Sequence, residues 1–260
     1  VVRRLSLLLS ALLVAIALPV NADNCTLRVA VAASFRPALE EVLPEFERRH
    51  ACVVQISSGS SGVLYQQIAH RAPFDLFLSA DRERPELLEK QGGALANSRQ
   101  TYALGLLALW HPKSESNIEQ LLQTWPDKIV LADPKVAPFG SAARQALQSL
   151  DLWKKKQTQL ARAHNAGQAY LMLDSGNAQL GFVAASQMQA AGRDNYWLLP
   201  QHLYKPIEQQ LLIPTQSRRP KEAQSLAEYL RSGEVQAQLH HLGYGVLPTQ
   251  YRSRDGGSGL

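Results

Sequence analysis

The sequence predicts an α/β fold built on mostly parallel sheets, and three observations carry that prediction. From residue 27 onward, short apolar runs of strand length alternate with segments whose apolar residues recur at helical spacing, which is the rhythm of βαβ units. The strand-like runs end in small and hydroxyl-bearing residues just before a helix begins, most clearly at Ile56-Ser57-Ser58-Gly59-Ser60-Ser61-Gly62 and at Ala32-Ala33-Ser34. No repeat and no long linker breaks the alternation, and 260 residues with 45% hydrophobic and 19% charged side chains suit one large domain or two small lobes.

The first strand reads through Val29-Ala30-Val31-Ala32, and Pro37, favoured in a first helical turn, opens a helix whose Leu39, Val42, Leu43 and Phe46 share a face. Ser34 then stands where an N-cap stands. Val53-Val54-Gln55-Ile56 is the second strand, with a helical pattern from Val63. A short buried strand follows at 76–79, then a helix at 85–91 stopped by Gly92-Gly93. The long apolar run 102–110 suits a strand that leaves the first lobe. A strand at 129–132 leads into Pro138-Phe139-Gly140-Ser141, with Ser141 as a candidate cap for a helix at 142–150. Asn165-Ala166-Gly167 opens a helix that ends near Gly176. A strand at 180–183, a helix from Ser186 and a strand at 209–213 returning to the first lobe come next, and helices at 220–231 and 234–241 close the fold.

Small residues at a strand-to-helix turn let backbone N–H groups point outward together at the positive end of a helix. Serine hydroxyls add donors without charge. In open α/β sheets the carboxyl edge of the strands is where ligands bind. The turns at 32–36, 57–62, 138–141 and 165–167 therefore form two pairs of donor-rich sites that a cleft could gather around an anion. Ordinary Ser/Gly-rich turns with helix caps fit the same residues, and composition alone does not choose between the two.

The amino-terminal stretch has its own signature. Arg3 and Arg4 precede an apolar run over 5–18, followed by Pro19-Val20-Asn21-Ala22. This is the pattern of a secretory leader, with cleavage expected after Ala22; the run is short for a membrane span and no later segment is long enough. Removing the leader lowers the formal charge from +5 to +3, 25 basic against 22 acidic residues. That excess helps to draw in an anion but is too small and scattered for nucleic-acid binding. Cys25 and Cys52 each lie just before a strand, so parallel neighbouring strands would bring them to the same edge. An exported protein then favours a bridge, with two buried thiols as the other possibility.

With these turns placed, the chain resembles the periplasmic molybdate-binding proteins of ABC importers. The blocks that carry the resemblance occur in order: Ala32-Ala33-Ser34-Phe35, Ser57-Ser58-Gly59-Ser60-Ser61-Gly62, Ala72-Pro73-Phe74-Asp75-Leu76-Phe77-Leu78-Ser79-Ala80-Asp81, Ala132-Asp133-Pro134 with Ala137-Pro138-Phe139-Gly140, and Leu180-Gly181-Phe182-Val183. The resemblance implies a two-lobed type II periplasmic binding fold with two crossover segments. Lobe 1 would be 23–104 plus 212–250, lobe 2 would be 105–211, and 251–260 would form a disordered tail. It implies Ser34 and Ser61 as hydroxyl donors to a tetrahedral oxyanion, Phe139 and Ala166 as backbone donors, and Ala33 as a further contributor. Two features depart from the family pattern. A tyrosine that many members carry after the strand matching 180–183 is Ala184 here, and a tyrosine that a subgroup carries in the Ala-Pro-x-Gly loop is Phe139.

The function expected is capture of molybdate or tungstate, without a cofactor or resident metal, by a monomer in the periplasm that delivers its cargo to a membrane permease. The same fold could take sulfate, phosphate or an organic acid; a carboxylate would call for an arginine clamp, and Arg36 and Arg144 stand near the turns. An exported hydrolase is the remaining class. Gly59-Ser60-Ser61-Gly62 lacks the spacing of a nucleophile elbow, His240-His241 falls on a late amphipathic helix, and Asp75 and Asp81 read as loop-ordering carboxylates.

Overall fold

A computed structural model describes residues 25–111 and 117–248; the expected leader, its expected cleavage site and the expected tail at 251–260 lie outside them. The apolar runs become strands β1 (Cys25–Ala32), β2 (Cys52–Gly59), β3 (Leu76–Leu78), β4 (Gln100–Gly105), β5 (Leu107–Trp110), β6 (Ile129–Ala132), β7 (Leu160–Ala163), β8 (Leu180–Ala184), β9 (Tyr196–Leu198) and β10 (Ile207–Leu212). Between them lie helices α1 (Arg36–His50), α2 (Ser61–Ala69), α3 (Glu83–Lys90), α4 (Ile118–Thr124), α5 (Pro138–Ser149), α6 (Ala166–Asp174), α7 (Ala185–Ala190), α8 (Pro220–Arg231) and α9 (Gly233–His241). Strands β7 and β9 and helix α4 have no counterpart in the sequence reading. They are only 4, 3 and 7 residues long, too short to show a period.

Among the described residues the strands form two five-stranded sheets, ordered β2-β1-β3-β10-β4 and β7-β6-β8-β5-β9. The two orders are the same arrangement. In each, a parallel trio is followed by one antiparallel strand and a last strand beyond it. The antiparallel strand is lent by the other half of the chain: β10 enters the first sheet after all of the second has been built, and β5 enters the second directly after β4. The chain therefore crosses between the sheets twice, as a type II periplasmic binding fold does. The first crossing falls at Leu106, because Gly105 still pairs with Ile207 in the first sheet. The second precedes Ile207. Residues 207–211, expected in lobe 2, thus pair in the first sheet: Ile207, with its side chain buried, and Glu208 extend the ladder two residues beyond the run read from sequence.

Each sheet is covered on both faces. Leu27, Val29 and Val31 of β1 pack against Leu39, Val42 and Phe46 of α1 and Leu226 and Leu230 of α8, while Ala30 and Phe77 face Leu64 and Ile68 of α2. In the second sheet, Leu109, Ile129 and Leu131 meet Ala143, Ala146 and Leu147 of α5; Val130 and Val183 face Ala169 and Leu173 of α6. The alternation along β1 and β6 puts successive side chains on opposite sides, so a continuous apolar run is what a doubly covered strand needs.

Cys25 and Cys52 are register partners on adjacent parallel strands and form a disulfide spanning 27 residues. The bridge closes the amino edge of the sheet. Strands of eight residues separate it from the carboxyl edge by roughly 25 Å. Reduction, or replacement of both cysteines by serine, is expected to lower stability by about 3 kcal/mol. That corresponds to a fall in Tm on the order of 6–12 °C with no change in ligand affinity. Thermal melts with and without reductant check the first part and calorimetry the second.

Candidate functional site

The carboxyl ends of β1, β2, β6 and β7 meet where the two sheets face each other. In the first lobe, the Ala33 N–H donates to the Gly59 carbonyl at 2.9 Å, which ties the turn after β1 to the turn after β2. In the second, the Asp133 N–H donates to the Ala163 carbonyl at 2.7 Å, tying the turn after β6 to that after β7. The pairs then touch across the cleft. The Gly62 N–H donates to the Val136 carbonyl at 2.9 Å. A Cβ on Gly167 would lie 3.5 Å from the Ala33 Cβ. Arg84 reaches over from α3 to donate to the Lys135 carbonyl at 3.1 Å, held by its ion pair with Asp81. The two lobes are closed on one another, and all four turns converge.

Several N–H groups in these turns are spent on neighbouring carbonyls, but donors at the helix starts remain. Helices α1, α2 and α5 have Phe35, Ser60 and Ala137 at their N-caps, and none is capped by a side chain. By contrast α4 and α9 are capped by the Asn117 and Ser232 side chains. In α6, Asn165 accepts the Gln168 N–H and leaves those of Ala166 and Gly167. The first N–H groups of a helix have no intrahelical partner. Left uncapped, they face the cleft together with the positive ends of the helix dipoles.

Ser34 is buried at 3% exposure, and its hydroxyl has no hydrogen-bond partner among the described residues. It is not the cap of α1, as its place in the sequence suggested; residues 33–35 form a turn, closed by the Phe35 N–H on the Ala32 carbonyl at 2.8 Å, and Phe35 takes that role. Phe35 is fixed by edge-on contacts with Tyr102 and Tyr244, at 4.7 and 5.4 Å between ring centroids, and the Tyr244 hydroxyl donates to the Ser34 carbonyl at 3.2 Å. Burial pushes the Tyr244 phenol well up, so it remains a donor. Ser61 is fully buried, and its Oγ accepts the Ala80 N–H at 2.9 Å. With an acceptor lone pair so used, its own proton is free to be given away.

Phe139 and Ala166 are buried second and first residues of α5 and α6. Ser141, read as a cap, instead lies inside α5, because Pro138 opens that helix three residues earlier. The Ala33 N–H is committed to the Gly59 carbonyl. The Phe139 ring lies at the crossover. Its Cζ lies 2.8 Å from where a Gly105 Cβ would be, beside Gln209 and Ile207 at the crossover, so a hydroxyl there would meet the crossing strands. Ala184 is fully buried, and its N–H donates to the side chain of Gln187, whose amide nitrogen donates to the Ala166 carbonyl at 3.2 Å. Gln187 thus anchors the first residue of α6, a role with no local signal in the sequence. Arg84 and Tyr244 escaped the sequence reading for the same reason: each acts through a residue distant in the chain.

No arginine or lysine named from the sequence reaches the turns. Arg36 pairs with Glu40 on the surface of α1 at 2.8 Å, and Arg144 lies over the Trp153 ring at 5.7 Å. Asp75 orders a loop, accepting from the Ser217 hydroxyl and the N–H groups of Arg28, Arg218 and Arg219. Asp81 binds the Ser79 hydroxyl and the Arg84 N–H. His240 and His241 are exposed at the end of α9. What remains is an enclosure of neutral donors, chemistry suited to a fully ionised anion.

Residues 27–245 match the family described as bacterial extracellular solute-binding protein. The chain belongs to this family. Its relatives include the molybdate-binding protein ModA of Azotobacter vinelandii, 37% identical over 93% of this chain and 100% of that one. The molybdate-binding protein ModA of Rhodobacter capsulatus is 34% identical over 90% and 93%. The structure of the Azotobacter vinelandii periplasmic molybdate-binding protein superposes with a TM-score of 0.81 at 36% identity, covering 85% of this chain and 99% of that one. The family binds solutes outside the cytoplasm, and its fold is the two-sheet, double-crossover arrangement seen here.

Proposed function

We propose that this protein closes around molybdate, or tungstate, in the periplasm and delivers it as a monomer to the permease of an ABC importer. The observation that carries the reading is the convergence of helix starts from both lobes, uncapped at α1, α2 and α5, with the Ser34 and Ser61 hydroxyls of the first lobe, while Arg84, which reaches across the cleft, is spent on Asp81 and the Lys135 carbonyl. The relatives' named ligand, molybdate, agrees with it. Ser34 and Ser61 donate through their hydroxyls, and Phe139 and Ala166 through their backbone N–H groups. Helix dipoles and oriented amides spread the compensation of two negative charges. A ring of donors offers nothing to a protonated oxygen, which excludes hydrogen phosphate. Donors set for a larger ion leave sulfate with long bonds. An organic acid lacks its clamp, since Arg36 and Arg144 are engaged elsewhere.

Closure is a hinge motion about the two crossovers, driven by bonds that exist only in the closed state. A panel of anions tests the reading. Molybdate and tungstate are expected to raise the melting temperature together, sulfate far less and phosphate not at all, because stabilisation grows with ligand concentration over Kd. Native mass spectrometry then identifies the ion carried. Sulfate or a carboxylate stabilising the protein more than molybdate would overturn the assignment.

A further inference from the structure

Gln209 lies within β10, paired in register with Ala103, and is fully buried. Its side-chain carbonyl accepts the Tyr102 hydroxyl at 3.1 Å, and that hydroxyl also lies 3.2 Å from the Ser79 carbonyl. Burial holds the Tyr102 phenol far above its ordinary range, so it stays protonated. The other end of the Gln209 amide, Nε2, is buried with no hydrogen-bond partner among the described residues. Buried amides are almost always paired. Turning this one over does not help: Tyr102 can serve either end, and whichever end points away from it is left without a partner.

What lies beside that free end comes from the other lobe. Nε2 is 2.9 Å from the point a Gly105 Cβ would occupy, and the Phe139 Cζ is 2.8 Å from the same point. The missing side chain of Gly105 makes the space in which an amide of the first lobe meets a ring tip of the second. The ring offers it only carbon. Phe139 is the second residue of α5, whose first N–H groups face the cleft, so its ring reports directly on how that helix sits when the lobes are shut.

We propose that Gln209 is a positioning residue that weakens the closed state through residue 139. In the open protein the free end of the amide is hydrated; closure strips its water and sets it against a phenyl ring, so each closure leaves one polar group unpaired. The device favours release of the bound ion. It rests on the reading of the cleft as an anion site that works by closing. A hydroxyl on Cζ of residue 139, able to donate or accept, would complete the amide across the lobes and hold them shut.

A double-mutant cycle on the full chain tests this, with Phe139→Tyr, Gln209→Met and the two combined. Affinity for molybdate is measured by calorimetry and the rates by stopped flow. Phe139→Tyr is expected to tighten binding about tenfold through slower dissociation, with association unchanged, since the new contact exists only after closure. In the Gln209→Met background the same substitution should gain nothing. An unchanged affinity in Phe139→Tyr, or an equal gain in both backgrounds, overturns the proposal. If Gln209→Met does not fold, NMR replaces it: the Gln209 side-chain amide protons of the liganded protein should shift in Phe139→Tyr and not in Phe139→Leu, and no shift overturns it too. Failure of the molybdate reading appears in the wild type, as binding of another oxyanion in its place, and the cycle is then read with that ion. Failure of the Gln209 proposal appears only in the variants.

Discussion

Ser61→Ala is expected to weaken oxyanion binding and to destabilise the fold, whereas Ser34→Ala weakens binding alone. On the proposed reading each hydroxyl donates one bond to a charged ligand, worth about 1.5–3 kcal/mol, which is roughly a 10- to 150-fold loss of affinity. The difference lies in what else each hydroxyl does. Ser61 Oγ accepts the Ala80 N–H at 2.9 Å in a fully buried position, so alanine strands a buried donor at a cost of about 1–3 kcal/mol. The Ser34 hydroxyl has no partner within the described chain, and its backbone carbonyl keeps the Tyr244 bond after substitution. Calorimetry and urea unfolding on the two variants separate these effects. Unchanged affinity in both would remove the hydroxyls from the site, and equal loss of stability would mean that Ser34 has a structural partner after all.

The parts of this site that were legible in sequence are those set by neighbours in the chain. Ser34 and Ser61 could be placed because strand, turn and helix follow within ten residues, and Pro37 and the spacing of Leu39, Val42 and Phe46 fix where α1 begins. The disulfide followed from two strand starts. Local rules failed where packing decides. Ser34 and Ser141 look like caps, yet the helices begin at Arg36 and Pro138, and of the four starts that face the cleft those of α1, α2 and α5 are left without side-chain caps. The neighbouring turn claims the Ala33 N–H. The end of the second lobe could not be found from apolar content, because Glu208 pairs in the first sheet while reading as a polar break. Gln187, Gln209 and Arg84 carry no motif at all; their roles come from residues 21 to 107 positions away.

Gly140→Ala is expected to be the most damaging single substitution near the cleft. A Cβ at this position would lie 2.1 Å from the Ala132 carbonyl oxygen and 2.7 Å from its carbon. Those atoms end β6, which is held between β7 and β8, and the next residue is tied to Ala163 by a 2.7 Å bond. The obstacle is therefore backbone that cannot step aside, and the first turn of α5 must lift instead. Forced insertions into packed sites cost about 1–3 kcal/mol and sometimes more. The same displacement carries the Phe139 N–H away from the anion it is proposed to hold, so binding should fall by at least tenfold beside the loss of stability. Gly140 is not in the positive-φ region that Gly92, Gly176, Gly192 and Gly243 occupy; it is required for its lack of a side chain, which lets α5 press against the end of its own strand and aim its amides into the cleft. Gly233→Ala is the control, because a Cβ there meets nothing within 4 Å, and it should leave melting and affinity as they are. An alanine at 140 that behaved like the control would mean that α5 can shift without moving its donors, and that the Phe139 amide does not hold the anion.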